Sequence, residues 1–123
     1  MNKSLTALTI AVAALVGLAA CSALATAPSI AVTADTVIVD VRTALEFDGG
    51  HLPEALNIDV QSPDFDTLIS ELPADGDYIV YCATGNRSGV AVARMTELGF
   101  TTLTDAGGVD EAAAATGLAL VRN

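Results

Sequence analysis

Seven consecutive residues, Cys82-Ala83-Thr84-Gly85-Asn86-Arg87-Ser88, bring together a soft nucleophile, a glycine, a permanent cation and a hydroxyl. They follow the apolar stretch Tyr78-Ile79-Val80-Tyr81 and precede a helical pattern beginning near Ser88. That order predicts a strand, a turn and a helix, with Cys82 at the foot of the turn. The first N–H groups of a helix have no partner inside it, so they converge on the concavity of the loop and form an anion cradle. A sulfur projecting into that cradle, with the Arg87 guanidinium nearby, should titrate below the free-thiol value and be a thiolate at neutral pH. The pattern therefore predicts nucleophilic, covalent chemistry at a reachable Cys82 sulfur. Gly85 would turn the backbone with its N–H facing inward. Arg87 would fix the loop or bind the anionic end of a substrate. Ser88 reads as a helix-start residue whose hydroxyl satisfies local donors, with a hydrogen bond to the sulfur as the other option.

The loop length narrows the chemistry. Cysteine phosphatases also hold a thiolate in a loop ending in arginine, but with five intervening residues that wrap a tetrahedral phosphate. Only Ala83, Thr84, Gly85 and Asn86 intervene here, which makes a smaller pocket suited to one sulfur atom carried as a persulfide and disfavours phosphatase or arsenate reductase chemistry. The run resembles the active-site loop of the rhodanese family of sulfurtransferases, whose single-domain members carry Cys, four residues, Arg, then Ser or Thr. Asp40-Val41-Arg42, Glu46-Phe47 and the run Gly50-His51-Leu52-Pro53-Glu54-Ala55-Leu56-Asn57-Ile58 resemble the family's first signature. Gly107-Gly108, after Phe100 to Asp105, resembles its last. The likeness extends from about Val37 to Gly108, with the segments in the family's order.

The resemblance implies a two-step transfer. Thiolate Cys82 would take the outer sulfur of thiosulfate or a similar donor, and cyanide or an acceptor thiol would then remove it from the Cys82 persulfide. Ala83, Thr84, Gly85, Asn86, Arg87 and Ser88 would bind substrate and persulfide, while Asp40 and Arg42 would hold the loop structure as support. His51, the only histidine, is an obvious candidate base, but between Gly50 and Leu52-Pro53 it reads as a turn residue that hydrogen-bonds backbone. No cofactor is implied, and one histidine with one free cysteine does not make a metal site without scattered carboxylates. Asn86 opens an Asn-x-Ser sequon, set aside because the same residues build the site. The chain lacks the tryptophan that many family members carry after the paired glycines, and Ala27 to Asp35 is too short for the usual helix before the first strand. The competing class is a persulfide carrier or thiol redox sensor that keeps the fold without turnover.

The 123 residues hold one domain and an export segment. Asn2 and Lys3 precede the nearly unbroken apolar run Leu5 to Ala20, which reads as a signal peptide over residues 1–20 and not as a spanning helix. Leu18-Ala19-Ala20-Cys21 fits a lipobox that would leave Cys21 as the lipidated N-terminus of a membrane-anchored lipoprotein in a bacterial cell envelope. Ala23-Leu24-Ala25 offers ordinary cleavage and a secreted or periplasmic protein instead. Residues 21–34 read as a tether and 35–123 as the domain. Either route leaves Cys82 as the one free thiol of the mature domain, in a compartment where cysteines normally pair. All fifteen acidic residues lie beyond residue 20, against Arg42, Arg87, Arg94 and Arg122. Such a surface repels nucleic acid and anionic headgroups; the resemblance implies a small sulfur substrate and a thiol acceptor as partners, and the lipobox a membrane reached through the lipid. Binding of a donor anion must overcome that field, so rates should depend on salt. The chain is expected to be a monomer.

These residues need a frame. Thr36 to Val41 is rich in β-branched residues, as suits a strand buried on both faces. A helical turn is expected over Ala44 to Asp48 and a short strand over Ala55 to Ile58. Phe65, Leu68, Ile69 and Leu72 predict a helix capped by Asp64 or Ser62 and closed by Pro73. After the Asp75-Gly76-Asp77 turn come the strand Tyr78 to Tyr81, the helix Arg87 to Leu98 stopped by Gly99, a strand over Thr101 to Thr104, a turn at Gly107-Gly108 and a helix over Asp110 to Thr116. Alternating strands and helices predict an α/β fold with a central, mostly parallel sheet, and the resemblance implies a rhodanese-like three-layer domain with helices flanking that sheet. Sites in such sheets lie at the carboxyl ends of the strands, where Cys82 falls.

Overall fold

The computed structural model describes residues 29–123; the signal, the Cys21 lipobox and the rival cleavage site near Ala25 lie outside them. Strands β1 (Thr36–Asp40), β2 (Leu56–Asn57), β3 (Asp77–Cys82) and β4 (Thr102–Gly108) alternate with helices α1 (Ala44–Asp48), α2 (Phe65–Ile69), α3 (Asn86–Glu97) and α4 (Val109–Thr116). The strands form one sheet in the order β2-β1-β3-β4, and every pairing is parallel. This is the expected α/β architecture, with the two most apolar strands, β1 and β3, at the centre.

Alternation along the central strands sorts the core into two layers. Val39 and Val41 of the β1 segment and Tyr78, Val80 and Cys82 of β3 face Phe65 and Ile69 of α2 and Ala91 and Met95 of α3. Ile38, Ile79 and Tyr81 face the other way, against Leu52, Ala106 and Ala112 of α4. The arrangement has helices on both faces because βαβ crossovers place them there. Helix α1 buries none of its residues. It hangs on its cap, Thr43 Oγ1 accepting from Glu46 N at 3.3 Å, and projects beyond the end of β1.

Most boundaries fall within a residue or two of expectation, and two differ. Helix α2 ends at Ile69, with residues 70–72 continuing as turns; it is a short strap whose only buried residues are Phe65 and Ile69. Gly107 and Gly108 are not a turn after the strand. They are its last residues, Gly108 pairing with Cys82 across an irregular register between Val80 and Cys82. The bulge lets β4 run alongside the cysteine and sets α4 one residue earlier than expected. At the C-terminus, Val121 bridges His51 in an antiparallel pair, with bonds of 2.9 and 2.8 Å between their backbones, an attachment that Leu118 to Val121 did not signal.

Candidate active site

Cys82 ends β3, and the chain turns at once through Ala83, Thr84 and Gly85 into α3. Gly85 is the N-cap, at φ 101°, a left-handed conformation that L side chains resist. That conformation aims its N–H back at the sulfur, with Gly85 N donating to Cys82 Sγ at 3.0 Å. The thiol donates to Ser88 Oγ at 3.5 Å, and the Ser88 hydroxyl donates to the Gly85 carbonyl at 3.0 Å. Gly108 closes the other side. A Cβ there would lie 2.5 Å from Ala83 O and 3.3 Å from Thr84 Cα, so only glycine lets β4 approach the loop this closely. This requirement went unseen in the sequence, where the paired glycines read as a turn.

One expectation needs correction. Cys82 is 0% exposed, not presented to solvent, and its side chain belongs to the same core layer as Val80, Ala91 and Met95. The alternation of β3 forces this, since the residue two after Val80 points to the same face. The sulfur is covered by the hydrogen-bonded loop, in which Thr84 and Asn86 are exposed and Ala83, Gly85 and Arg87 half-buried.

Electrostatics nevertheless favour the anion. Burial pushes the Cys82 thiol up, but hydrogen bonds from the Ser88 side chain and from the Ser88, Gly85 and Thr84 backbones outweigh it and leave the thiol below its ordinary value. The Ser88 hydroxyl carries one proton, so stabilising a thiolate requires that hydrogen to turn from the Gly85 carbonyl to the sulfur.

Arg87 lies at the head of α3, and both terminal nitrogens donate to Glu46 of α1, at 3.1 and 2.8 Å. The fork holds the loop side of α3 against α1. Glu46 received no role of its own in the sequence reading. The local signal, Thr43-x-x-Glu46, is that of a capping box in which the glutamate reaches back to the cap; here it turns to Arg87, 41 residues on.

The proposed supporting residues lie together beside the loop. Arg42 makes a forked pair with Asp40, with Nη2 to Oδ2 at 2.7 Å, and the same nitrogen donates to the Gly50 carbonyl at 2.7 Å. Asn57 Nδ2 donates to the carbonyls of Asp40 and Arg42 at 3.2 and 2.9 Å, another contact the sequence did not disclose. His51 stacks on Phe47 with ring centroids 3.7 Å apart, and its Nδ1 is 2.8 Å from the Phe47 carbonyl. Tyr81 accepts from Leu52 N at 3.0 Å, and burial pushes its phenol above the usual range. Behind Gly107, a cavity of about 480 Å³ is lined by Ile30 and by the small or acidic side chains of Ala106, Glu111 and Ala115. Among the described residues no cluster of three or more His, Cys, Asp or Glu side chains could hold a metal ion.

A strand, a cysteine loop and a helix on a parallel sheet, braced by Asp40-Arg42 and closed by Gly107-Gly108, match a known family. The family profile for the rhodanese-like domain covers residues 27–115, and the chain belongs to this family. A curated relative from Allochromatium vinosum, named a sulfurtransferase, is 35% identical over 68 residues, which are 55% of this chain and 62% of that protein. A rhodanese-related protein from Thermoplasma volcanium is 28% identical, with TM-score 0.61 over 72% of this chain and 86% of that one. A Helicobacter pylori protein is 29% identical, with TM-score 0.58 over 72% of this chain and 80% of that one. An E. coli rhodanese solved with anions is 24% identical, with TM-score 0.59 over 72% of this chain and 99% of that one, and bears on the fold alone.

Proposed function

We propose that the protein is a sulfurtransferase working through a persulfide on Cys82. The observation that carries this reading is the Gly85 N–H aimed at Cys82 Sγ from 3.0 Å, at the head of a helix whose first amides are otherwise unpaired. In the first half-reaction the Cys82 thiolate attacks the outer sulfur of thiosulfate or a similar donor. The donor's S–S bond breaks, its electron pair leaves with sulfite, and a Cys82 persulfide remains. In the second, cyanide or an acceptor thiolate attacks the outer sulfur, and the electron pair of the cysteine's S–S bond returns to Cys82 as thiolate. Ala83 to Ser88 form the cradle. Asp40, Arg42 and His51 support it, and no cofactor takes part. Family membership and the sulfurtransferase name of the Allochromatium relative support the same class of chemistry. The protein acts as a monomer outside the cytoplasm, held to the membrane by a lipid on Cys21.

The test is thiocyanate formation from thiosulfate or a persulfide with cyanide, alongside intact mass. Wild type should turn over and gain one sulfur on incubation with donor, and Cys82→Ser should do neither. The burial of Cys82 favours one alternative outcome: a sulfur gained on Cys82 without turnover identifies a persulfide carrier. No added sulfur from any donor ends both readings.

A further inference from the structure

Three arginines of the described domain are each held by a carboxylate: Arg42 by Asp40 at 2.7 Å, Arg94 by Asp66 at 2.7 Å and Arg87 by Glu46 at 2.8 Å. Arg122 directly follows Val121, the residue bridged to His51, and is exposed in the C-terminal tail. Arg87 is the one cation within the cysteine loop, and Glu46 engages both of its terminal nitrogens, Nη1 and Nη2 each donating to a different Glu46 oxygen. Asp59 adds a further negative field at the same guanidinium. Among the described residues, the cysteine loop therefore carries no cation that is not already paired with a carboxylate, on a chain of net charge −10.

We propose that Glu46 is a specificity-determining residue, which by neutralising Arg87 turns the site away from dianionic donors such as thiosulfate and toward persulfides of low net negative charge. The inference rests on the sulfurtransferase reading above. The Gly85 amide at 3.0 Å stabilises negative charge on one sulfur whatever the donor. A sulfonate end demands a second countercharge outside the cradle, and Glu46 already holds the group that would supply it. A persulfide makes no such demand. The Cys82 thiolate attacks its outer sulfur, the old S–S bond breaks with its electron pair going to the departing thiolate, and the outer sulfur keeps the proton or charge it brought. Glu46 acts through Arg87 and positions charge; it touches no reacting atom.

The experiment compares kcat/KM of the full chain for thiosulfate and for cysteamine persulfide, whose ammonium offsets its anionic sulfur, with cyanide as common acceptor and the uncatalysed rate subtracted. Wild type should prefer cysteamine persulfide by about tenfold or more, and its thiosulfate rate should rise with added salt as like-charge repulsion is screened. Glu46→Gln should move the donor ratio toward thiosulfate by about tenfold, while Glu46→Asp keeps the wild-type ratio. Glu71→Gln, which removes a charge from the exposed end of the α2 segment, should leave the ratio where it was and so separates local from overall charge. A wild-type preference for thiosulfate, a thiosulfate rate that falls with salt, or a Glu46→Gln ratio equal to wild type overturns the proposal. If Glu46→Gln does not fold, the wild-type ratio and salt response decide. Sulfur transfer with the wrong preference sinks this inference alone, whereas no Cys82-dependent transfer from either donor sinks it together with the reading beneath it.

Discussion

Strands β1 and β3 are neighbours that end at the same edge of the sheet, Asp40 beside Tyr81, yet their ends are built in opposite ways. At the end of β1 each charge is answered inside the fold. Asp40 accepts from Arg42 N, Nε and Nη2, Arg42 continues to the Gly50 carbonyl, and its guanidinium lies 5.6 Å from the Tyr81 ring centre. Both residues are buried. At the end of β3 the amides converge on a single titratable sulfur, and the adjoining ion pair, Arg87–Glu46, stays partly exposed, at 24% and 36% of its side chains. The closed network is a fixed floor. The other end is left able to change its occupant, and α1 links the two by carrying Glu46 from the β1 side to Arg87. The contrast predicts that damage to the first end costs folding, while damage to the second changes chemistry.

The largest effect should come from Asp40→Ala. Arg42 would keep its buried guanidinium without a counter-ion, and breaking a buried pair from one side costs about 3–5 kcal/mol. That is a large share of what a small domain has, and the thermal midpoint should drop by roughly 15 °C or more. Asp40→Asn, which keeps one acceptor oxygen for Arg42, should lose less. A midpoint for Asp40→Ala within a few degrees of wild type would break the comparison, because the floor would then not depend on its charges.

Ser88→Ala tests the other end. Removing the hydroxyl takes one anion-stabilising bond from Cys82, so the thiol should titrate higher, toward its ordinary value. One such bond corresponds to a loss of roughly three- to tenfold in sulfur-transfer rate at neutral pH, shrinking in alkaline buffer where the variant too is ionised. The ultraviolet absorbance of the thiolate followed against pH reads the shift directly. Linkage fixes the sign for stability. The folded thiol is more acidic than the unfolded one, so its contribution is full above the unfolded value and is lost as pH falls through the folded one. Ser88→Ala should therefore weaken wild type's gain in stability on going to alkaline pH. An unchanged titration in Ser88→Ala would remove the hydroxyl from the account of the thiolate.

Local signals made most of this frame legible. β-branched residues located β1, apolar runs located β3, and Gly99 marked where α3 ends. The order strand, Cys82, Gly85, helix contained the loop. What stayed hidden was whatever depended on a partner distant in the chain. Gly108 looks like a turn residue until β4 is laid against Ala83. Glu46 looks like half of a capping box until α1 is brought beside α3. The burial of Cys82 was legible in part, since its parity with Val80 points it at α3, but the chemistry of the loop drew attention to the turn and away from that parity.

The smallest effect on folding should come from Glu46→Gln, the substitution expected to alter donor choice most. The pair is forked, but its side chains are 24% and 36% exposed, so water and salt screen it and its net worth is below about 1 kcal/mol. The Arg87 hydrogen bonds hold the Glu46 carboxyl below the usual carboxylate range. The small stabilisation is therefore present above the unfolded value and disappears as pH falls through the folded one. Chemical denaturation of wild type and Glu46→Gln at neutral pH should give midpoints that differ slightly, with the gap closing in acid. A large loss at neutral pH would mean that Arg87 needs Glu46 as Arg42 needs Asp40. The two strand ends would then be two copies of one brace, and Glu46 would be fixed by folding with no freedom left to tune the charge at the sulfur.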